Sequence, residues 1–506
     1  MPRVGTAVLR HPSITQLAFL HTGLIMDHAE RSSRDSLFGQ PTNVLQSPGA
    51  ASFSAGSFAD PYHDDQRYQD LSSELRSFLL ATAQSTFPTR AHTPGPAADL
   101  TISSEHADVI WPNGQLDLRH TGVPVMDSAK YLRNWLTECA PWLDMFDQSR
   151  MFGSQVPCLA KNSPAILYAM LALSARQSAR QNDAPYASEH SFDLYAKAIA
   201  SLSAALDTHN PCIPVAACIL CVLEMMSANP RNWKHHLEGC AALFESSGIH
   251  GLSGGLHQAV FWCFARMDLC SAIIDGGVAS TVIPIEKWAI IDRRLAPDLE
   301  SDDYVSGVAA GFAEQASHSH DMRANHAVYL CAKVCDLLAR RTRYVEMGEE
   351  NGYNNDHFST RWTSLWEELQ LWVNGLPADF LPFTTVVDQQ GFPRKLFSQY
   401  AAISSTQLYH TACILMLDAR TPGVTGGMTP STFSILWHAK QVVGISLGNE
   451  HRGCLNNAIQ PLYVAGRHFT HRDEHTTVIN LLRKIENKSG WAAKWRIKDL
   501  ETMWGY

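Results

Sequence analysis

Residues 211–226, PCIPVAACILCVLEMM, decide the fold of this chain. Pro211 and Pro214 stand where proline is tolerated, at the start of a helix. Residues 215–226 are then apolar on every side of that helix, apart from Glu224. A helix without a polar face is stable only when it is buried all round, so we predict that it lies in the centre of a helical bundle. Glu224 is expected in or near the core, where its carboxyl group needs a partner.

Helical patterns continue on both sides of this stretch. Asn162 or Ser163 is predicted to cap a helix that starts at Pro164. A helix over 231–247 is predicted to end at Gly248 in a left-handed cap with a hydrophobic contact. Similar apolar patterns cover 256–274, 324–344, 362–373 (ending at Gly375 in the same way), 397–417, 433–443, 473–486 and 491–504. No convincing alternation of a strand is present, so residues 127–506 are predicted to form an all-α, multi-helix bundle.

The first part of the chain has a different character. Residues 1–66 are rich in Ser, Gly, Pro, Gln and Asp and show no periodicity, which predicts a disordered N-terminal tail. We favour this interpretation over a transit peptide. Residues 67–126 are interpreted as a linker with one amphipathic helix over 70–83, capped by Ser72 or Ser73. An isolated helix of this length is marginal in water, so it must dock on the body or on a partner.

Composition excludes several classes of protein. The chain has 506 residues, 45% of them hydrophobic and 18% charged, which excludes a small disulfide scaffold and disorder of the whole chain. The net charge of −9 argues against coating nucleic acid or an anionic membrane. The 12 cysteines are scattered through apolar stretches and are predicted to be reduced core residues. The longest uncharged apolar run, 212–223, is shorter than the ~20 residues of a membrane span.

One motif suggests a nucleophilic serine. Residues 444–448, GISLG, match the G-x-S-x-G turn that presents a serine between a strand and a helix in α/β-hydrolases. The residues before Ser446 have a helical pattern, and nothing around them builds the required sheet. We therefore expect a helix end with small residues and no catalytic role for Ser446. A strand before Ser446 would favour the hydrolase alternative.

A second motif suggests a metal. His471 and His475 fit the H-x-x-E-H pattern of some zinc proteases, with His468 nearby. Catalytic zinc needs a third ligand and an open position, and Glu486 is the obvious later carboxylate on the same helix face. The favoured interpretation is an exposed first helical turn, in which acidic residues suit the helix N-terminus. We expect no metal site and no cofactor in this chain.

Three further patterns receive structural interpretations. The pair Cys218 and Cys221 is expected to pack in the core, because no second pair stands at zinc-site spacing. The clusters 235–236 and 318–321 are expected to be surface or capping residues. Basic residues near the C-terminus alternate with tryptophans and are interpreted as the solvated face of a helix rather than a nucleic-acid patch: Arg483, Lys484, Lys488, Lys494, Arg496 and Lys498, with Trp491 and Trp495.

A series of short stretches, in order, carries a family resemblance. They are Leu75-Arg76, ATAQS at 81–85, PTR at 88–90, SPAILYA at 163–169, LSAR at 173–176, Trp233, HLEG at 236–239, FWCFARMDL at 261–269, QPLYVAGR at 460–467, GW at 490–491 and WRIKDLE at 495–501. Together they resemble the fungal-specific transcription factor domain, a regulatory region that follows a binuclear zinc cluster in fungal regulators.

The resemblance implies a non-enzymatic, nuclear regulator of RNA polymerase II transcription with transcription factors or coregulators as partners. Family members read DNA with six N-terminal cysteines that hold zinc, whereas this sequence has no cysteine before Cys139. Residues 1–120 carry eight basic and twelve acidic residues, so no basic module replaces the cluster. We expect either a regulator that reaches DNA through partners or a start that omits an upstream exon. No DNA-binding residue is assigned, no membrane contact is expected, and a homodimer is left open.

Overall fold

The computed structural model describes residues 65–86, 116–182, 185–204, 212–227, 230–276, 279–289, 302–420 and 432–506. Residues 1–64 of the predicted tail and 87–115 of the predicted linker lie outside these ranges. The described helices are α1 (Gln66–Thr86), α2 (Val125–Asn134), α3 (Ala140–Leu143), α4 (Met151–Leu159), α5 (Pro164–Asn182), α6 (Pro185–Ala204), α7 (Cys212–Ser227), α8 (Pro230–Ser247), α9 (Gly255–Ile274), α10 (Asp302–His318), α11 (His320–Met347), α12 (Asn355–Asn374), α13 (Tyr400–Asp418), α14 (Ile435–Gly448), α15 (Arg452–Leu455), α16 (Ile459–Gly466), α17 (Arg472–Ser489) and α18 (Lys494–Trp504).

The all-α prediction is confirmed, with helix α7 at the centre of its half of the bundle. Helices α5, α6, α8 and α9 pack around it. Residues 215–223 of α7 are all buried, as the apolar sequence requires. Trp135–Cys139 is a turn of π-helix between α2 and α3, and short 3₁₀ turns cover Ile285–Lys287, Ala378–Phe380 and Asn456–Ala458. Among the described helices, none is long and apolar enough to cross a membrane.

The predicted helix ends are partly confirmed. The Ser163 hydroxyl accepts from the Ile166 amide at the start of α5. Gly248 adopts φ 69° after α8, and the Ile249 amide donates to the Phe244 carbonyl, so the left-handed cap is present. The corresponding prediction for Gly375 is wrong. Helix α12 ends there, but Gly375 has φ −89° because its amide donates to Leu371 in an ordinary final turn.

Helix α1 is longer than predicted and has a different cap. It starts at Gln66, and the Asp65 carboxylate accepts from the Arg67 amide at 2.9 Å. The cap at Ser72 or Ser73 is therefore wrong, because the helix has already begun one turn earlier. The predicted apolar face is present, with Leu75, Phe78 and Leu79 buried against the body.

The expectation of no strand is wrong for one small hairpin. Strands β1 (Thr384–Val387) and β2 (Pro393–Leu396) are antiparallel, with Thr384 opposite Leu396. Strand β1 has the sequence TTVV and is largely exposed. Because neither of its faces is buried, its sequence lacks the alternation of apolar and polar residues that predicts a strand. Strand β2 packs on helix α14, and this contact determines the surroundings of Ser446.

Candidate functional site

Ser446 lies inside helix α14, not on a turn between a strand and a helix. Its hydroxyl accepts from the Gln407 side-chain amide of α13 at 2.7 Å. The same amide also donates to the Val442 carbonyl at 3.2 Å. A serine nucleophile needs a neighbouring base, and a carboxamide is not one. The surroundings of Ser446 thus lack the arrangement expected of a hydrolase.

The two glycines of the GISLG motif have a packing role. A Cβ at Gly444 would overlap the backbone of Pro393, and a Cβ at Gly448 would overlap the backbone of Lys395. The two glycines are four residues apart and so share one helix face. The Asn449 side chain then donates to the Lys395 carbonyl at 2.7 Å. The motif allows strand β2 to lie directly on α14.

Both ring nitrogens of His475 are engaged within the protein. Nδ1 is 2.9 Å from the Tyr506 hydroxyl, and Nε2 is 3.0 Å from the Phe469 carbonyl. The ring also stacks on Trp504, with centroids 3.8 Å apart. His471 is exposed immediately before α17, but the expectation of an exposed first turn is wrong for Glu474 and His475, which are each 6% exposed. In the described ranges, no group of three or more His, Cys, Asp or Glu side chains is placed to hold a metal.

Some of the C-terminal basic residues are paired with carboxylates, whereas Arg483 is exposed. Lys484 and Lys488 both pair with Glu450. The prediction of a solvated basic face is wrong for Arg496, because only 3% of its surface is exposed. Its guanidinium lies 3.6 Å from the ring centre of Tyr463 and donates to the Gln460 side chain. The Tyr463 ring, the Gln460 oxygen and the Asp499 carboxylate, 3.1 Å from Nη1, together compensate for removing this cation from water.

The structure brings together a set of polar residues around Glu224 that the sequence patterns do not reveal as a group. Tyr68 and Tyr195 each donate a hydroxyl to one oxygen of the Glu224 carboxyl group. His236 Nε2 lies 3.4 Å from the same group and 2.8 Å from the Ser72 hydroxyl. We call these five residues the Glu224 cluster.

The Glu224 cluster joins four helices at a fully buried position. Its members come from α1, α6, α7 and α8, and Glu224 and Tyr195 are 0% exposed. The prediction that Glu224 needs a partner is confirmed. The expectation of a surface or capping role for residues 235–236 is wrong at His236, which is 2% exposed because its ring faces Glu224.

Apolar and ionic contacts support the cluster along α1. Gly239 of α8 lies directly under Leu79, where an added Cβ would meet the leucine Cβ at 2.9 Å. At the surface, Arg76 pairs with Glu238 at 3.3 Å and Arg67 pairs with Glu189 at 3.0 Å. Exposed pairs of this kind contribute little to stability, so the buried face and the Glu224 cluster hold α1 in place.

Most of the cysteines are core residues, as predicted, but the prediction is wrong for Cys158, which is exposed. Cys218 and Cys221 are buried in α7, and all 12 cysteines of the chain are free thiols. A hydrogen bond with Cys263, together with burial, raises the pKa of Cys218 well above its ordinary value. A thiol held neutral in this way is a poor nucleophile and metal ligand.

Comparison with known proteins identifies the family. A family model described as the fungal-specific transcription factor domain matches residues 130–504. The chain belongs to this family. The domain therefore runs from within α2 to the end of α18 and leaves α1 outside the matched range, although α1 packs on it through the Glu224 cluster.

One curated relative of this fungal-specific transcription factor domain is described as transcription activator AMTR1 from Alternaria alternata. The two sequences are 24% identical over 337 residues, which cover 57% of this chain and 43% of the relative. The chain thus matches less than half the length of that relative. No solved structure matches the chain.

Proposed function

We propose that this chain regulates transcription by RNA polymerase II in the nucleus, through an all-helical regulatory domain. The family match over residues 130–504 carries the proposal. A relative described as a transcription activator supports activation as the direction of the effect. The matched region forms one continuous buried core with α1 packed on it.

The proposal includes the absence of an enzymatic role. Ser446 accepts from an amide and not from a base, and His475 has both ring nitrogens engaged. A serine with neither a base nor an oxyanion hole gains no reactivity. We expect that a serine-reactive phosphonate labels wild type and Ser446→Ala equally. Labelling of Ser446 that a substrate ester blocks would instead support a hydrolase.

The proposed partners are other transcription factors or coregulators. Among the basic residues that stood out in the sequence, Lys484, Lys488 and Lys494 pair with carboxylates and Arg496 is buried, whereas Arg483 is exposed. Such residues offer few free cations to neutralise phosphates. DNA is then reached through a partner or through a zinc-cluster module encoded upstream.

A tethering experiment tests the regulatory role. The chain is fused to a heterologous DNA-binding domain and assayed on a fungal reporter gene. We expect reporter expression to change relative to the DNA-binding domain alone at equal protein level. A matched control is the Ser446→Ala fusion, which should act like wild type. An inert fusion that is nuclear and folded would contradict the proposal.

A separate experiment tests the route to DNA. The purified chain is incubated with random duplexes at physiological salt, and bound duplexes are sequenced. We expect no defined motif, because phosphate contacts alone do not specify sequence. Selection of a motif would contradict the partner-dependent route. Sequencing the 5′ end of the transcript then distinguishes a route through a partner from a zinc-cluster module encoded upstream.

A further inference from the structure

The outer edge of strand β2 is covered by helix α14. The Pro393 carbonyl lies against Gly444. The Lys395 carbonyl lies against Gly448 and accepts from the Asn449 side chain at 2.7 Å. Proline has no N–H, so Pro393 leaves no donor unpaired along this edge. Helix α14 therefore closes this edge of the hairpin to any further strand.

The outer edge of strand β1 is open. Thr385 lies opposite Lys395, and Val387 lies opposite Pro393. In an antiparallel pair, two opposed residues either bond to each other or both turn their N–H and C=O groups outward. The carbonyls of Pro393 and Lys395 point outward, so the backbone groups of Thr385 and Val387 do as well. Among the described residues, no hydrogen bond to these outward groups is present.

The open edge is apolar and uncharged. Phe383 is 70% exposed, Val386 is 58% exposed and Val387 is 65% exposed. Strand β1, TTVV, contains no charged residue and no proline. Proteins usually protect an exposed edge with such residues, because unpaired backbone groups are a template for another strand. The β1 edge is thus available for pairing.

A second copy of the β1 edge complements the first. A two-fold axis at Val386 places Thr385 opposite Val387 of the second copy, and the reverse. Each of these two pairs exchanges two hydrogen bonds, so four bonds satisfy all the outward groups of both strands. On one face the two Val386 side chains meet. On the other, Phe383 reaches Val387 of the second copy diagonally, and no paired position brings like charges together.

The apolar area of this edge fits a weak dimer. Together with Leu381, which is 47% exposed, Phe383, Val386 and Val387 present roughly 400 Å² of apolar surface per copy. Two copies contribute about 800 Å², and pairing of the strand backbones brings the total near the ~1,000 Å² of the smallest specific interfaces.

We propose that two copies of this chain form a symmetric dimer in which their β1 strands pair antiparallel and complete a four-stranded sheet. An interface of this size favours a Kd on the order of 10 µM. The pairing depends on the hairpin alone and is independent of the proposed function.

The first test is sedimentation velocity of the full chain over a concentration series of about 1–100 µM. We expect mainly monomer at the lowest concentration and mainly dimer at the highest. A monomer throughout would overturn the pairing and leave the edge to an extended peptide of another protein. Assemblies larger than a dimer would also overturn it, because a two-fold pair uses both β1 edges.

The second test uses charge variants at the axis. Val386→Glu and Val386→Lys each place two like charges opposite each other, so each should weaken the dimer at least about tenfold. An equimolar mixture of the two variants should dimerise again, because opposite charges then meet at the axis. Melting temperatures confirm that each variant is folded.

Val345→Glu is the matched control. Val345 is 52% exposed near the end of α11, outside the hairpin, so this variant should dimerise like wild type. If Val345→Glu weakens the dimer as much as Val386→Glu, or if the mixture of the two axis variants stays monomeric, the β1 strands do not form the interface.

Discussion

Two buried ionisable groups, Glu224 of α7 and Arg266 of α9, are accommodated in opposite ways. Glu224 is surrounded by side chains from three other helices, each of which offers a hydrogen bond or a ring nitrogen. Arg266 contacts two backbone carbonyls and no carboxylate within the described residues. The two groups lie on adjacent helices of the same core.

This comparison separates a buried charge that side chains of three other helices satisfy from one that backbone carbonyls and the Phe146 ring accommodate. Both oxygens of Glu224 accept from tyrosine hydroxyls and His236 Nε2 contacts the Ser72 hydroxyl, although His236 Nδ1 has no partner among the described residues. The cluster therefore fixes how α1, α6 and α8 sit on α7. The indole N–H groups of Trp142 and Trp491, beside Arg266, have no hydrogen-bond partner among the described residues. Substitution should therefore reduce stability strongly in the Glu224 cluster and weakly at these two indoles.

The largest effect is expected when an unpaired carboxylate is added to α7. Leu220 lies one turn before Glu224 and is 0% exposed. Leu220→Asp places a charge there without the partners that Glu224 has, so no folded protein should be recovered. Leu220→Met is the control and should fold, because it conserves volume and polarity. Wild-type thermal stability of Leu220→Asp would refute the central placement of α7.

Removing the carboxyl group of Glu224 is expected to have the next largest effect. Glu224→Ala leaves two buried tyrosine hydroxyls without their acceptor and opens a cavity. The free energy of unfolding should fall by about 4 kcal/mol, measured by urea denaturation. Glu224→Gln should lose less, since its amide oxygen still accepts one hydrogen bond. A loss below ~1 kcal/mol for Glu224→Ala would mean that the cluster does not hold the helices together.

A single hydroxyl of the cluster is expected to matter less. Tyr68→Phe keeps the ring against Tyr195 and removes the bond to Glu224, so the free energy of unfolding should fall by about 2 kcal/mol. Tyr186→Phe is the matched control, because Tyr186 is 59% exposed and should show no change. In a double-mutant cycle, Tyr68→Phe and Glu224→Gln should be non-additive, which identifies their direct coupling.

The smallest effect on folding is expected at Trp491. Trp491→Phe removes an N–H that has no partner to lose, so the free energy of unfolding should change by less than ~0.5 kcal/mol. The same change is expected for Trp366→Phe, because Trp366 Nε1 also lacks a partner among the described residues. A loss of 2 kcal/mol in Trp491→Phe would show that its N–H is already satisfied, and the contrast with Glu224 would disappear.

The sequence predicted the helices well where a strong local pattern exists. Residues 215–226 have no polar face, so only a central position in the bundle buries every side of this helix. The structure places the helix there. Gly248 followed by Ile249 forms the expected cap. Gly375 has the same local sequence pattern without the left-handed geometry, because several backbone conformations end a helix at glycine. Local sequence therefore indicates where a helix ends better than how.

Local sequence patterns could not predict which residues contact each other across the fold. A buried carboxyl group at Glu224 indicated that a partner was needed, but Tyr68 is 156 positions away and only the packed helices identify it. The GISLG motif illustrates the same limit. Its two glycines fit a strand backbone, and β2 contributes nothing to the local pattern around Ser446.

The distance in sequence between α1 and its docking surface has a consequence for synthesis on the ribosome. Tyr68 is translated 156 residues before Glu224, and His236 follows later still. At about 5–20 residues per second, the nascent α1 waits roughly 8–30 s before α8 exists. During that interval its apolar residues Leu75, Phe78 and Leu79 have no native surface to cover them. The nascent chain is therefore a natural client for a ribosome-associated chaperone until the first half of the bundle has been made.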